Sequence, residues 1–166
     1  MHEIFRQAND IGLDARLLRR PAIAGLNDTA IKGRRMMDVP FTAEFQVRDY
    51  ECDLQGIVNN AVYQNYLEHA RHEFLNSRGL SFSELTALGV IIVVIRAELD
   101  YKQALRPGER FSVSVVASQR GRLKVQFEQE IRRLADNELM LEAKITAVSL
   151  REGKRPYLPE ALKKLF

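Results

Sequence analysis

Cysteine occurs once in the 166-residue chain and tryptophan is absent. The single cysteine, Cys52, cannot form a disulfide within the chain, so it points to a reducing compartment: the cytoplasm, with the plastid stroma as the alternative. A cysteine nucleophile would need a base, usually histidine. His69 and His72 fall on a predicted helix and His2 lies far away along the chain. We therefore interpret Cys52 as a small residue at a strand end.

Long apolar runs and a strong net charge are also missing. The longest apolar run, Val90–Ile95, has the length of a strand, whereas a membrane span needs about 18 apolar residues or more. The net charge of +3 suits an anionic ligand but is too weak to favour nucleic acid binding. A chain of this length predicts one domain, which often buries more apolar surface by forming oligomers.

The first 38 residues differ from the rest of the chain. Short apolar pieces alternate with Arg, Asp and Asn, and none is long enough for a secretory signal. The acidic residues argue against an organellar transit peptide, whereas the arginines argue for one. We predict a leader over residues 1–38, partly disordered or loosely attached, and one domain over residues 39–166.

A regular pattern begins after the leader. The stretch FTAEFQVR alternates apolar and polar residues, which predicts a half-buried strand over residues 41–48. Apolar residues then recur at three- and four-residue spacing, which predicts a helix over residues 59–77. Asn59 or Asn60 is a suitable N-cap for this helix, and Gly79 is a suitable stop.

The remainder predicts a second, short helix over residues 81–89 and then mostly strands. The strand patterns alternate and are separated by turns, and they cover residues 89–103, 111–120, 123–134 and 139–152. The tail, residues 157–166, predicts a short amphipathic helix. A long helix must bury its apolar stripe, and a sheet is the only large partner available. We therefore predict an α+β domain in which an antiparallel sheet, with its last four strands in a meander, wraps around one long central helix.

Three motifs follow one another in this framework. They are DLQGIVNNAVY at residues 53–63, Glu68-x-x-Arg71 on the helix, and LRPGE at residues 105–109. Together they resemble the hotdog-fold acyl thioesterases of the 4-hydroxybenzoyl-CoA thioesterase type. The first motif is most similar to that of plant acyl-ACP thioesterases of the methylketone-synthase-2 type and their bacterial relatives. The resemblance implies hydrolysis of a fatty acyl-ACP or acyl-CoA by a homodimer or homotetramer, with no cofactor.

The resemblance also implies roles for the turn before the helix. Asp53 would be the nucleophile or the general base of thioester hydrolysis. Gly56 would allow a tight turn and a close approach of the backbone to the substrate. The N–H of Asn60, at the positive start of the helix, would polarise the thioester carbonyl. Both Asp53 and Asn60 have a simpler interpretation as helix-capping residues.

The resemblance places each acyl pocket between the helix of one subunit and the sheet of its partner. The residues expected to contact the substrate are Val58, Asn59, Tyr63, Tyr66 and Arg96, with Leu67 and Val90–Val94 as further candidates for the pocket walls. Tyr63 could instead be a packing residue. A phosphate group or an acidic carrier surface could be met by basic residues near strand ends, namely Arg96, Lys102, Arg106, Arg120, Arg122 and Lys124. Each of these could equally be a solvated charge at a strand edge.

Two alternative functions would require different groups at the pocket, and the remaining charged residues have structural interpretations. A non-catalytic acyl-binding module would need the pocket without the carboxylate, and a hotdog dehydratase would need a histidine at the start of the helix. Glu68 and Arg71 predict a structural ion pair on one helix face. The acidic residues Asp49, Glu51 and Glu98 are interpreted as solvated, because no cluster has metal-ligand spacing, and no metal is expected.

Overall fold

A computed structural model describes residues 40–151 and 155–166, so the leader predicted for residues 1–38 lies outside the described residues. The described strands are β1 (Phe41–Gln46), β2 (Val90–Tyr101), β3 (Arg110–Arg120), β4 (Lys124–Arg133), β5 (Leu139–Arg151) and β6 (Arg155–Tyr157). The described helices are α1 (Asn60–Ser77), α2 (Phe82–Ala87) and α3 (Glu160–Lys163), with a 3-10 turn at Asp49–Glu51.

The strands form one antiparallel sheet in the order β1-β3-β4-β5-β2. The predicted meander of four strands is therefore wrong for β2, which pairs with β5 and not with β3. Both edges of β3 are taken, by β1 and by β4, so β2 pairs at the free edge of β5 instead. The short strand β6, which the sequence patterns missed, pairs with the last residues of β5. Within the described chain, the outer edge of β2 has no partner strand.

Helix α1 packs against the sheet through a continuous apolar stripe. Its residues Leu67, Ala70 and Phe74 are almost completely buried. The sheet contributes fully buried side chains from its central strands, among them Phe111, Val113, Ile131 and Leu141. Each large apolar side chain buried in this way contributes about 1.5–3 kcal/mol. The predicted α+β architecture, a sheet around one long helix, is confirmed.

A buried polar contact ties the middle of α1 to the sheet. The Gln129 side chain on β4 is 2% exposed, and its Nε2 donates to the carbonyl of Leu67 at 3.0 Å. Its Oε1 accepts a hydrogen bond from Nη1 of Arg71 at 2.9 Å. The predicted ion pair of Glu68 with Arg71 is wrong, because Arg71 turns inward to Gln129 while Glu68 lies 3.7 Å from Nε2 of His72. Burial lowers the pKa of the Arg71 guanidinium.

Candidate active site at the start of helix α1

The segment that leads into α1 is a tight turn. Cys52 and Val58 form an antiparallel bridge that closes it. Inside the bridge, the N–H of Gly56 donates to the carbonyl of Asp53 at 3.0 Å, and the N–H of Asp53 donates to the carbonyl of Ile57 at 2.9 Å. Gly56 has a φ of 72°, in the left-handed region that glycine adopts at little cost. The glycine therefore allows the chain to reverse within five residues.

The turn holds the carboxylate of Asp53 in place. Its Oδ1 accepts a hydrogen bond from the backbone N–H of Gln55 at 2.9 Å. With its nitrogen facing the carboxylate, the side-chain amide of Gln55 also lies 2.9 Å from both carboxylate oxygens. The helix cap is a different residue, because Oδ1 of Asn59 accepts from the N–H of Ala61 at 2.9 Å. Asp53 is therefore positioned by its own turn and does not cap α1.

Asn60 is the first residue of α1, where helix N–H groups lack intrahelical acceptors. Asn59 accepts hydrogen bonds from the next two N–H groups, those of Ala61 and Val62. The N–H of Asn60 donates a hydrogen bond to no acceptor within residues 40–151 and 155–166. Its carbonyl accepts a hydrogen bond from the Tyr101 hydroxyl at 3.0 Å, which joins the helix start to the end of β2. The Asn60 N–H is thus available to a ligand at the positive end of the helix.

A shallow cavity of about 440 Å³ brings the turn and the helix start together. Its walls are Asp53, Ile57, Val58, Asn60, Tyr63, Tyr101, Lys102, Gln103 and Ala104. Five residues singled out from the sequence therefore share one cavity: Asp53, Val58, Asn60, Tyr63 and Lys102. Tyr101, Gln103 and Ala104 were not anticipated, because a strand end carries no sequence signal that it faces a distant turn.

The far wall of this cavity is fixed by hydrogen bonds. The buried hydroxyl of Tyr63 accepts from the N–H of Leu105 at 3.0 Å, and the carbonyl of Leu105 accepts from the N–H of Val58 at 2.9 Å. Burial raises the pKa of Tyr63. Tyr63 therefore both packs in the core and lines the cavity. The ammonium of Lys102 contacts the carboxylates of Asp100 and, at 3.2 Å, Glu142, so it is already paired.

Three other residues that were expected to contact substrate do not line the cavity of Asp53. The hydroxyl of Tyr66 donates to Oε2 of Glu51 at 2.6 Å, in a separate hollow. Burial and this carboxylate raise the pKa of Tyr66. Asn59 is occupied as the N-cap. Arg96 is exposed and pairs with Glu98 at 2.8 Å, in a hollow that does not contain Asp53. A substrate role for these three residues stays a prediction.

Cys52 and the histidines do not form a nucleophile–base pair. Burial raises the pKa of the Cys52 thiol, and the carboxylates of Asp49, Glu51 and Asp53 raise it further, which disfavours the thiolate. His69 packs edge-on against the ring of Phe45, with 5.5 Å between ring centroids. Among the described residues, none of the histidines lines the cavity of Asp53.

The described part of the chain contains no cluster of three His, Cys, Asp or Glu residues that could hold a metal ion. It also contains no helix that is long and apolar enough to cross a membrane.

A second cavity, of about 380 Å³, lies between α1 and β2. Leu67, Glu68 and Arg71 line it from the helix. The strand contributes Ile92, Val93, Val94 and Ala97, and β5 contributes Ile145. Val94 is 47% exposed and the neighbouring Ile95 is 49% exposed. This cavity opens beside the unpaired edge of β2.

The backbone conformation of Gly56 leads to a prediction. A Cβ atom at this position would meet no heavy atom within 4 Å, so any cost comes from the positive φ alone. We expect Gly56→Ala to lower the free energy of unfolding by about 1–2 kcal/mol, and Gly56→Asn to lower it less, because Asn tolerates the left-handed region. Urea unfolding of the three proteins measures this. Equal stability of the Ala variant and the wild type would contradict the observed turn.

Comparisons with known proteins identify the family and the fold. A profile described as the thioesterase-like superfamily matches residues 47–166. The chain is 36% identical over 137 residues to the chloroplastic acyl-acyl carrier protein thioesterase ATL3 of Arabidopsis thaliana, which covers 82% of this chain and 72% of that protein. It is 31% identical over 137 residues to the acyl-CoA thioesterase YbgC of Haemophilus influenzae, covering 79% and 97% of the two chains. The crystal structure of a hypothetical protein from Aquifex aeolicus superposes with a TM-score of 0.72 at 28% identity, over 76% of this chain and 98% of that one.

Proposed function

This chain belongs to the thioesterase-like superfamily, and we propose from this premise that it hydrolyses an acyl thioester, a fatty acyl-ACP or acyl-CoA, to a free acid and a thiol. The proposed reaction centre is the turn before α1. The carboxylate of Asp53 either attacks the carbonyl carbon or removes a proton from the water that attacks it. If the carboxylate attacks, the C–S bond breaks as an anhydride forms between the acyl group and Asp53, and water then hydrolyses that anhydride to the free acid and restores the carboxylate. If the carboxylate acts as a base, the attacking water supplies the oxygen of the acid as the C–S bond breaks. In either route the departing sulfur takes a proton that originates from water and leaves as the thiol.

The single observation that carries this proposal is the position of Asp53. A carboxylate just before a helix usually caps it, but here Asn59 has that role. Asp53 is held by Gln55 at the wall of a cavity that also contains the start of α1. The free N–H of Asn60 and the partial positive charge of the helix are suited to stabilise the negative charge that develops on the carbonyl oxygen. Asp53, as the nucleophile or the base, and the Asn60 N–H, as the oxyanion donor, would therefore act on a substrate in the same cavity.

The acyl chain would lie in the cavity between α1 and β2, against the apolar side chains of Ile92, Val93 and Val94, within a homodimer. The exposed edge of β2 is long and rich in β-branched residues, which in a monomer would favour aggregation. Antiparallel pairing of β2 with the same strand of a second copy would satisfy its edge and cover Val93, Val94 and Ile95. Such pairing would also bring the cavity beside β2 of one copy close to the Asp53 turn of the other.

The runner-up is a non-catalytic module that binds the acyl thioester without cleaving it. Such a module has no need of a carboxylate held at the wall of the cavity, so the position of Asp53 favours the hydrolase. A dehydratase is less favoured, because His69 and His72 do not line the cavity of Asp53.

The proposal is tested by the release of free thiol from a panel of acyl-CoA and acyl-ACP thioesters of different chain lengths. We expect turnover of at least one thioester, and no cleavage of the corresponding oxygen esters. Tight binding of a thioester without thiol release would favour the binding module, and the absence of both binding and release across the panel would contradict the proposal.

A further inference from the structure

The turn between β3 and β4 carries an unbalanced positive charge. Arg120 and Lys124 lie directly opposite each other in the strand pairing, with Arg122 in the turn between them. Like charges at directly opposed positions destabilise a hairpin. Within the part of the chain that the structure describes, none of these three cations forms an ion pair with a carboxylate. The hairpin therefore gains from an anionic partner.

The charge extends from the hairpin across the neighbouring strands. A shallow hollow of about 1260 Å³ is lined by five cations, Arg96, Arg120, Arg122, Lys124 and Lys144, which we call the basic surface. Two carboxylates also line it, and both are engaged: Glu98 with Arg96 at 2.8 Å, and Glu128 with the amide of Gln126 at 2.8 Å. The apolar side chains of Leu123 and Ile95 are 42% and 49% exposed in the same hollow.

The size of the basic surface indicates the kind of partner. Its cations come from four different strands, which spread over about 14 Å at 4.8 Å per strand spacing. That width exceeds one phosphate group, and the exposed Leu123 and Ile95 offer apolar contact that a phosphate cannot use. A protein surface with clustered carboxylates matches both properties, since electrostatic complementarity speeds its association and fixes its orientation.

The strand pairings also locate the basic surface relative to the proposed reaction centres. Lys124 pairs with Val148, and Val148 pairs with Val93 of β2. Tyr101, at the cavity of Asp53, lies eight residues further along β2, about 25 Å away at 3.3 Å per residue. If β2 pairs antiparallel with the same strand of a second copy, the Tyr101 end of that copy lies beside the Val90 end of this one. The basic surface then lies level, along the strands, with the cavity of the other subunit, on the outer face of the sheet, away from the buried Val125 and Phe127.

We propose that the basic surface docks an acidic carrier protein whose acyl thioester enters the cavity of the opposite subunit. The inference rests on the proposed thioesterase function and names the carrier protein, not coenzyme A, as the handle that this surface recognises. Docking would contribute to substrate capture and leave the chemical step to Asp53. It therefore predicts an effect on KM for the carrier-bound substrate, weakened by added salt because these charges are exposed.

The test compares Lys124→Glu with the matched control Lys164→Glu, an exposed lysine outside the basic surface. Both proteins are assayed on acyl-ACP and acyl-CoA that carry the same acyl chain. The fold should tolerate Lys124→Glu, since the new carboxylate would face Arg120. We expect kcat/KM for acyl-ACP to fall about tenfold or more through KM, with kcat unchanged and acyl-CoA hydrolysis altered less than twofold. Lys164→Glu should match the wild type on both substrates.

The other outcomes separate the two proposals. Equal losses on acyl-ACP and acyl-CoA would mean that the surface binds a phosphate common to both, and would overturn carrier docking. An unchanged kcat/KM on acyl-ACP would overturn it as well. A wild type that hydrolyses neither substrate would instead contradict the proposed function itself.

Mixed dimers test the cross-subunit arrangement. One subunit carries Asp53→Asn and the other carries Arg122→Glu with Lys124→Glu, and the dimer is isolated through two different affinity tags. If the basic surface serves the opposite subunit, one complete site remains and the mixed dimer should show about half the wild-type kcat/KM for acyl-ACP, measured well below KM. If it serves its own subunit, neither site is complete, and a kcat/KM no higher than that of the parent variants would overturn the cross-subunit assignment.

Discussion

Asp53→Asn is expected to lower kcat for thioester hydrolysis by about a hundredfold or more, the usual effect of removing a positioned base or nucleophile. The amide keeps the size of the side chain and can still accept the hydrogen bond from the N–H of Gln55, so the turn should persist. Asn59 caps α1 independently, and the thermal stability should therefore change little. Free-thiol release and thermal unfolding, measured on the same preparation, check both parts.

Asp49→Asn is the matched control for this substitution. Asp49 lies four residues earlier in the same segment, is exposed, and is not part of the cavity wall. It should retain nearly all activity. A kcat for Asp53→Asn within about threefold of the wild type would contradict the assignment of Asp53 as the acting carboxylate, because catalysis by a positioned base is worth far more.

Val94→Lys is expected to convert the protein from a dimer to a monomer and to lower its activity at least tenfold. Val94 is 47% exposed beside the free edge of β2, where the proposed dimer would bury it. Lysine at an edge strand opposes pairing with another strand, since its ammonium would lose water without gaining a partner. Light scattering after size exclusion gives the mass, and thiol release gives the activity.

Val116→Lys provides the control for Val94→Lys. Val116 is 45% exposed, also lies in a strand, and receives the same change, but its strand is inside the sheet and it faces Glu128 on β4. This variant should remain a dimer with normal activity. The edge-pairing proposal would be wrong if Val94→Lys were still a fully active dimer, or if both variants dissociated alike.

Much of the fold follows from local patterns in the sequence. The spacing of apolar residues defined α1 to within one residue at its start, and the alternation in β3, β4 and β5 defined those strands closely. Asn59 proved to be the N-cap, one of two candidates. The hotdog-type fold expected from DLQGIVNNAVY and the motifs that follow it is confirmed. This motif was informative because it contains a turn, a helix start and a buried tyrosine together.

What the sequence missed depends on contacts between distant residues. Local alternation in β2 gives no information on its neighbour, so pairing with β5 could not be read from it. Arg71 turns to Gln129, 58 residues away, although Glu68 is much nearer along the chain. The amide of Gln129 is buried and pairs with Arg71 across the fold, because leaving a buried polar group unpaired costs about 1–3 kcal/mol.

The most direct measurement is a crystal structure of the Asp53→Asn variant with a bound acyl thioester. It shows the reacting atoms themselves, in a protein that should bind the substrate without turning it over. We predict the thioester carbonyl oxygen at about 2.7–3.1 Å from the backbone nitrogen of Asn60, with the carbonyl carbon facing residue 53. A thioester bound with its carbonyl away from the start of α1 would contradict the central claim that this turn and helix form the reaction centre.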